Sequence, residues 1–60
     1  MKYNELYRKL RKAGCLLLHH GAGHDKWINP GNGKSTWVGR HGTEEVPIGT
    51  LKTIYQELGL

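Results

Sequence analysis

Tyr3, Leu6, Tyr7 and Leu10 recur at the i, i+3, i+4, i+7 spacing of one helix face, with charged residues between them. That spacing predicts a helix over Asn4 to Ala13. Gly14 follows as a stop, and the basic side chains of the last turn suit the negative end of the helix dipole. The pattern then changes. A short apolar run that ends in two histidines predicts a strand from Cys15 to His20, closed by Gly21. A second strand is expected over His24 to Asn29. "PGNG", Pro30 to Gly33, is a strong turn signal, so Lys34 to Val38 should be the return strand of a hairpin. Gly39 to Val46 reads as a loop. Ile48, Leu51, Ile54, Tyr55 and Leu58 mark one face of a last helix, with Pro47 before it and Gly59 after it.

The order is helix, strand, strand, strand, helix. Its simplest packing is a small α+β domain, an antiparallel three-stranded sheet with both helices on one face. This α-β-β-β-α arrangement is dsRBD-like, similar to the double-stranded-RNA-binding domain, and that fold serves both RNA binding and RNA cleavage. Fold alone does not choose between them. No repeat, low-complexity tract or linker divides the chain, so residues 1–60 are expected to form a single domain.

Composition narrows the setting. A chain of 60 residues buries only about 60% of its unfolded surface, so most of its apolar side chains must be inside. One cysteine, Cys15, rules out a disulfide within the chain and fits a reducing compartment. The start, MKYNELYRKLRK, has no apolar stretch of signal-peptide type, and Ala13 to Leu18 is far too short to span a bilayer. A cytoplasmic protein with no membrane partner is the expectation. Nine Lys and Arg against five Asp and Glu leave a net charge of +4, which favours an anionic partner. Lys9, Lys12, Lys26 and Arg40 are the candidate contacts for RNA phosphates. A solvated helix face explains the N-terminal cluster equally well.

Chemistry concentrates in "HHGAGHDKW", His19 to Trp27. If "PGNG" closes a four-residue hairpin loop, Asn29 faces Lys34, Trp27 faces Thr36 and His24 faces Gly39. Arg40 and His41 then approach His24 from the next strand. Trp27 and Trp37 fall on opposite faces in this register, and the pattern leaves open which is buried. A histidine beside basic groups matches what RNA cleavage requires. Imidazole, with a reference pKa of about 6.5, can take the proton of a 2′-hydroxyl near neutral pH. Cations stabilise the charge that grows on phosphorus oxygens, and an acid must protonate the leaving 5′-oxygen. On this logic His24 is the base, Arg40 or Lys26 holds the phosphate, and His41 is the candidate acid. The route needs no metal and no cofactor.

Other readings compete. A histidine in a glycine-rich loop is often a surface residue, with Gly21 and Gly23 serving only the turn. His19 and His20 read as strand-end surface residues. A metal set would draw on Cys15, His19, His20 and His24, but adjacent histidines on a strand point to opposite faces. Trp27 and Trp37 suit base stacking as well as a core. Glu44 and Glu45 do not resemble a buried acid pair.

The segments "KLRKAGC", "HGAGHDKW", "VGRHGTEE" and "IGTLKTIYQELGL" together resemble the HicA family of bacterial mRNA-interferase toxins. The likeness runs over essentially the whole chain: a first helix ending in Ala-Gly, a G-x-x-H-x-x-W element, an Arg-His pair after the third strand, and a G-T-L-x-x-I-x-x-x-x-G-L ending. It implies the same α-β-β-β-α fold, a metal-independent endoribonuclease acting on mRNA, and His24 as its catalytic residue. It also implies a HicB-type antitoxin that covers the active site in a toxin-antitoxin hetero-oligomer. Many relatives have Ser or Asn where this chain has Gly23, and Pro where it has Gly39. The second change should loosen the loop that carries His41. Two rival classes share the fold and charge: a noncatalytic RNA-binding module, and a domain that binds an acidic protein.

Overall fold

The computed structural model describes residues 1–60. Its elements are α1 (Tyr3–Lys12), β1 (Leu16–His20), β2 (His24–Asn29), β3 (Lys34–Gly39) and α2 (Ile48–Leu58). The three strands form one antiparallel sheet in the order β1-β2-β3. The expected α-β-β-β-α order is the order found, with ends shifted by a residue at most. α1 starts one residue early for a physical reason. The first amides of a helix lack intrahelical partners, and here Tyr3 N and Asn4 N donate to Glu44 O and Gly42 O, at 3.0 and 2.9 Å. The loop after β3 is thereby docked on the start of α1, and Val46 N adds a bond to Met1 O of 2.8 Å.

The hairpin register is the one expected from the turn: Asn29 pairs with Lys34, Trp27 with Thr36 and His24 with Gly39. The turn also anchors α2. Asn29 Nδ2 and Asn32 Nδ2 both donate to Leu58 O, at 2.8 and 3.1 Å, supplying partners for a carbonyl left over at the helix end.

Both helices cover the same face of the sheet, and pleating sorts the side chains. Trp27, Thr36 and Val38 point under the helices, where they meet Leu6 and Leu10 of α1 and Ile54 and Leu58 of α2. Leu6, Leu10 and Leu58 are fully buried, each contributing roughly 1.5–3 kcal/mol. Thr36 keeps its hydroxyl satisfied by donating to Glu57 Oε2 at 2.5 Å. Trp27 is therefore the core tryptophan, 2% exposed, and Trp37 is 46% exposed on the opposite face. Ile48 departs from the helical pattern. It lies in the first turn of α2 and is 73% exposed, so the helix joins the core through Leu51 and the residues after it.

One irregularity separates β1 from its simple reading. Leu17 pairs with Trp27, but the next pair is His19 with Lys26, which leaves Leu18 as a bulge. The extra residue moves His19 onto the open face beside Lys26 and sets His20 beside Asp25.

Candidate active site at the start of β2

The turn between β1 and β2 is held from both sides. Gly21 N donates to His24 O at 2.7 Å, and Arg40 N donates to Gly23 O at 3.2 Å. The Arg40 side chain completes the clamp, with Nη2 donating to Gly21 O at 2.5 Å and Nε lying 3.4 Å from Asp25 Oδ1. His20 Nδ1 sits 2.9 Å from the same Asp25 oxygen. Asp25 is thus a hub, its side chain only 13% exposed, that ties the end of β1 to the end of β3. These bonds fix where His24 leaves the turn.

His24 is exposed, and its ring faces that of His41 edge to face, with centroids 6.4 Å apart. The second ring is the more firmly held. Glu44 Oε2 lies 2.9 Å from His41 Nδ1, three residues along the same turn. Tyr3 packs edge-on against His41 at 5.0 Å. A carboxylate on Nδ1 holds the proton on that nitrogen, orients the ring and leaves Nε2 as its other, unpaired nitrogen.

Gly39 makes the approach possible. A Cβ at this position would lie 2.6 Å from His41 Cδ2 and 2.7 Å from Nε2, so the imidazole occupies the space a side chain would need. The residue does not loosen the segment, as its lack of a side chain had suggested. Gly39 is buried in β3 and its carbonyl accepts a bond from Tyr7 Oη at 2.5 Å. Two imidazoles this close can address two oxygens of one phosphate while remaining too far apart to bond each other.

A family model described as the HicA toxin of bacterial toxin-antitoxin matches residues 3–60. The chain belongs to the HicA toxin family. It is therefore a toxin of a toxin-antitoxin system, a class that implies an antitoxin partner and whose members are known as RNase-type toxins. No curated protein and no solved structure matches the chain. No helix of this HicA toxin is long and apolar enough to cross a membrane.

The candidate residues divide into two places. His24, Arg40 and His41 come together at the end of the sheet, and Lys26 lies two residues along β2 on the open face with His24. Lys9 and Lys12 lie elsewhere in this toxin, along the outer side of α1 with Glu5 and Arg8, in a shallow depression that shares no residue with the His24 site. The alternative metal set is not gathered. Cys15 is fully buried in the core, where burial pushes its thiol pKa up, while His19 packs on Trp37 and His20 on Asp25.

Sequence patterning missed Glu44, Tyr3 and Asp25. Glu44 and Glu45 are both exposed and take separate partners: Glu44 goes to His41, and Glu45 to the N-terminal ammonium at 2.9 Å, which lowers the Glu45 pKa. The H-x-x-E spacing of His41 and Glu44 was the available signal.

Proposed function

We propose that this toxin is an endoribonuclease of the mRNA-interferase type, with His24 as general base and His41 as general acid. His24 takes the proton of a ribose 2′-hydroxyl, and the freed oxygen attacks the adjacent phosphorus. The bond from phosphorus to the 5′-oxygen breaks as His41, acting as an imidazolium whose Nδ1–H is held by Glu44, gives its Nε2 proton to the leaving oxygen. The products are a 2′,3′-cyclic phosphate and a 5′-hydroxyl, and the chain's own groups suffice for the step. Arg40 has a double task here. It clamps the turn through Gly21 and Asp25, and its remaining donors, with Lys26, meet the phosphate as charge develops. Lys9 and Lys12, apart from this site on the outer side of α1, offer a second cationic surface to the rest of a long strand.

The observation that carries this reading is the approach of two imidazoles across Gly39, one of them oriented by a carboxylate. A module that only binds RNA has no need of it. A HicB-type antitoxin covering this end of the sheet would silence the toxin in a hetero-oligomer, and both belong in the cytoplasm where mRNA is. The test combines growth and chemistry. Expression of the chain alone should arrest growth, and purified protein should cut labelled RNA. His24→Ala should fold normally, spare growth and cut about 10²–10⁴-fold more slowly. Undiminished cleavage by a folded His24→Ala protein sinks the assignment. A shifted but intact RNA band from the wild-type protein would favour the binding module.

A further inference from the structure

Trp37 is the largest exposed aromatic side chain and takes no part in the core or in the proposed proton transfers. Its indole reaches across β2 to the β1–β2 turn. A Cβ on Gly21 would stand 2.9 Å from Trp37 Cζ3, so the absence of a side chain there is what admits the ring. Together Gly21, Ala22, Gly23, His24 and Trp37 line a shallow, mostly apolar depression, in which His24 is the sole titratable wall. The surroundings of the ring are cationic. Lys26 Nζ lies over it at 5.4 Å from the centroid, and His19 meets it edge-on at 6.1 Å. The neighbouring carboxylates are occupied elsewhere: Asp25 by Arg40 and His20, and Glu57 by Thr36.

We propose that Trp37 is a stacking platform for an unpaired nucleobase beside the scissile phosphate. A base has a flat π-face and brings a phosphate with it. The depression offers the matching pair, an indole plane and a lysine, next to the residue that would act on the ribose. A duplex cannot use the site, because its bases are already stacked and paired. Duplex recognition relies instead on shape and on contacts to phosphates and 2′-hydroxyls. The inference rests on RNA being the ligand of the His24 site.

The probe is a short single-stranded RNA carrying 2′-O-methyl groups throughout, which blocks the nucleophile, compared with the same strand annealed to its complement. The wild-type protein should bind the single strand with quenching of its tryptophan fluorescence and bind the duplex more weakly. Trp37→Ala should weaken single-strand binding by about tenfold or more, Trp37→Phe should restore most of it, and neither should alter duplex binding. Because Trp37 lies outside the core, circular dichroism should show both variants folded. Equal affinity of wild type and a folded Trp37→Ala protein for the single strand overturns the proposal and leaves the open face to a protein partner. If that equality accompanies normal cleavage of unmodified RNA, the nuclease reading survives alone. Trp37-dependent binding without cleavage supports the platform and removes the nuclease.

Discussion

Each face of the sheet carries one tryptophan, and each tryptophan has a cation over its ring. On the covered face Trp27 stacks with Tyr7 at 6.1 Å and an interplanar angle of 12°, with the Arg11 guanidinium 5.2 Å from its centroid. On the open face Trp37 has Lys26 and His19 for company and solvent beyond them. The chemistry is nearly the same, and the difference lies in what covers it. Trp27 is 2% exposed, with its Nε1–H buried and without a hydrogen-bond partner. That orphaned donor costs about 1–3 kcal/mol. Burying roughly 200 Å² of indole at about 25 cal/mol per Å² returns near 5 kcal/mol, so the packing wins. Trp37 gains no such burial, and Leu16 and the bulged Leu18 of β1 are more than half exposed, at 59% and 54%. This open face is where the proposed base-stacking platform lies. One face stabilises the molecule and the other is free to work.

The sharpest way to break this contrast is to remove each indole in turn. Trp27→Ala should cost about 3–5 kcal/mol, most of the stability expected of a domain this size. Trp37→Ala should stay within about 1 kcal/mol, as surface changes do. Urea denaturation of both variants measures the gap, and similar losses would mean the open face is structural after all.

A smaller effect is expected where the two faces meet, at the end of β3. Gly39→Ala should displace the His41 ring, since the new methyl would overlap it. Cleavage should fall by about tenfold to a hundredfold through misplacement of the proposed acid. The melting temperature should move by only a few degrees, because the displaced atoms are the far end of one side chain. A large loss of stability with normal kinetics in the surviving folded fraction would place Gly39 in the scaffold instead.

The smallest effect concerns Cys15 under the helices. Burial raises its thiol pKa above the ordinary 9.0, so the unfolded chain loses this proton before the folded one does. Below that value both states hold the proton and the group is neutral to stability. As pH rises past 9.0, the unfolded state gains and stability falls. Comparing melting temperatures of wild type and Cys15→Ala between pH 8 and about 10 should show the wild type falling more steeply. Parallel curves would contradict it. The folded thiol should also resist alkylation at neutral pH until the chain is unfolded.

Much of this architecture was legible in one dimension because its causes are local. Helical spacing in Tyr3 to Leu10, the short apolar run that ends at His20 and the "PGNG" turn each specify structure within a few residues. The turn length even set the hairpin register, and with it His24 across from Gly39. The site was only half legible for the same reason. His24 and the Arg40–His41 pair follow from register, but the Glu44 contact to His41 depends on how the loop docks on α1. The bulge at Leu18 left no mark in the pattern, because an apolar residue suits a strand or a bulge equally.

The sequence by itself therefore determined the elements, their order, the hairpin pairing and one histidine of interest. Tertiary structure decided which face the helices cover, and so which tryptophan became core and which stayed open. Pleating divides side chains into two sets but does not rank them. Only the long-range burial of Leu6, Leu10, Ile54 and Leu58 against one set breaks that symmetry. The same packing carries Tyr3 and Glu44 to His41, and it turns the glycine at position 39 from an apparent weak point into the space where two imidazoles meet.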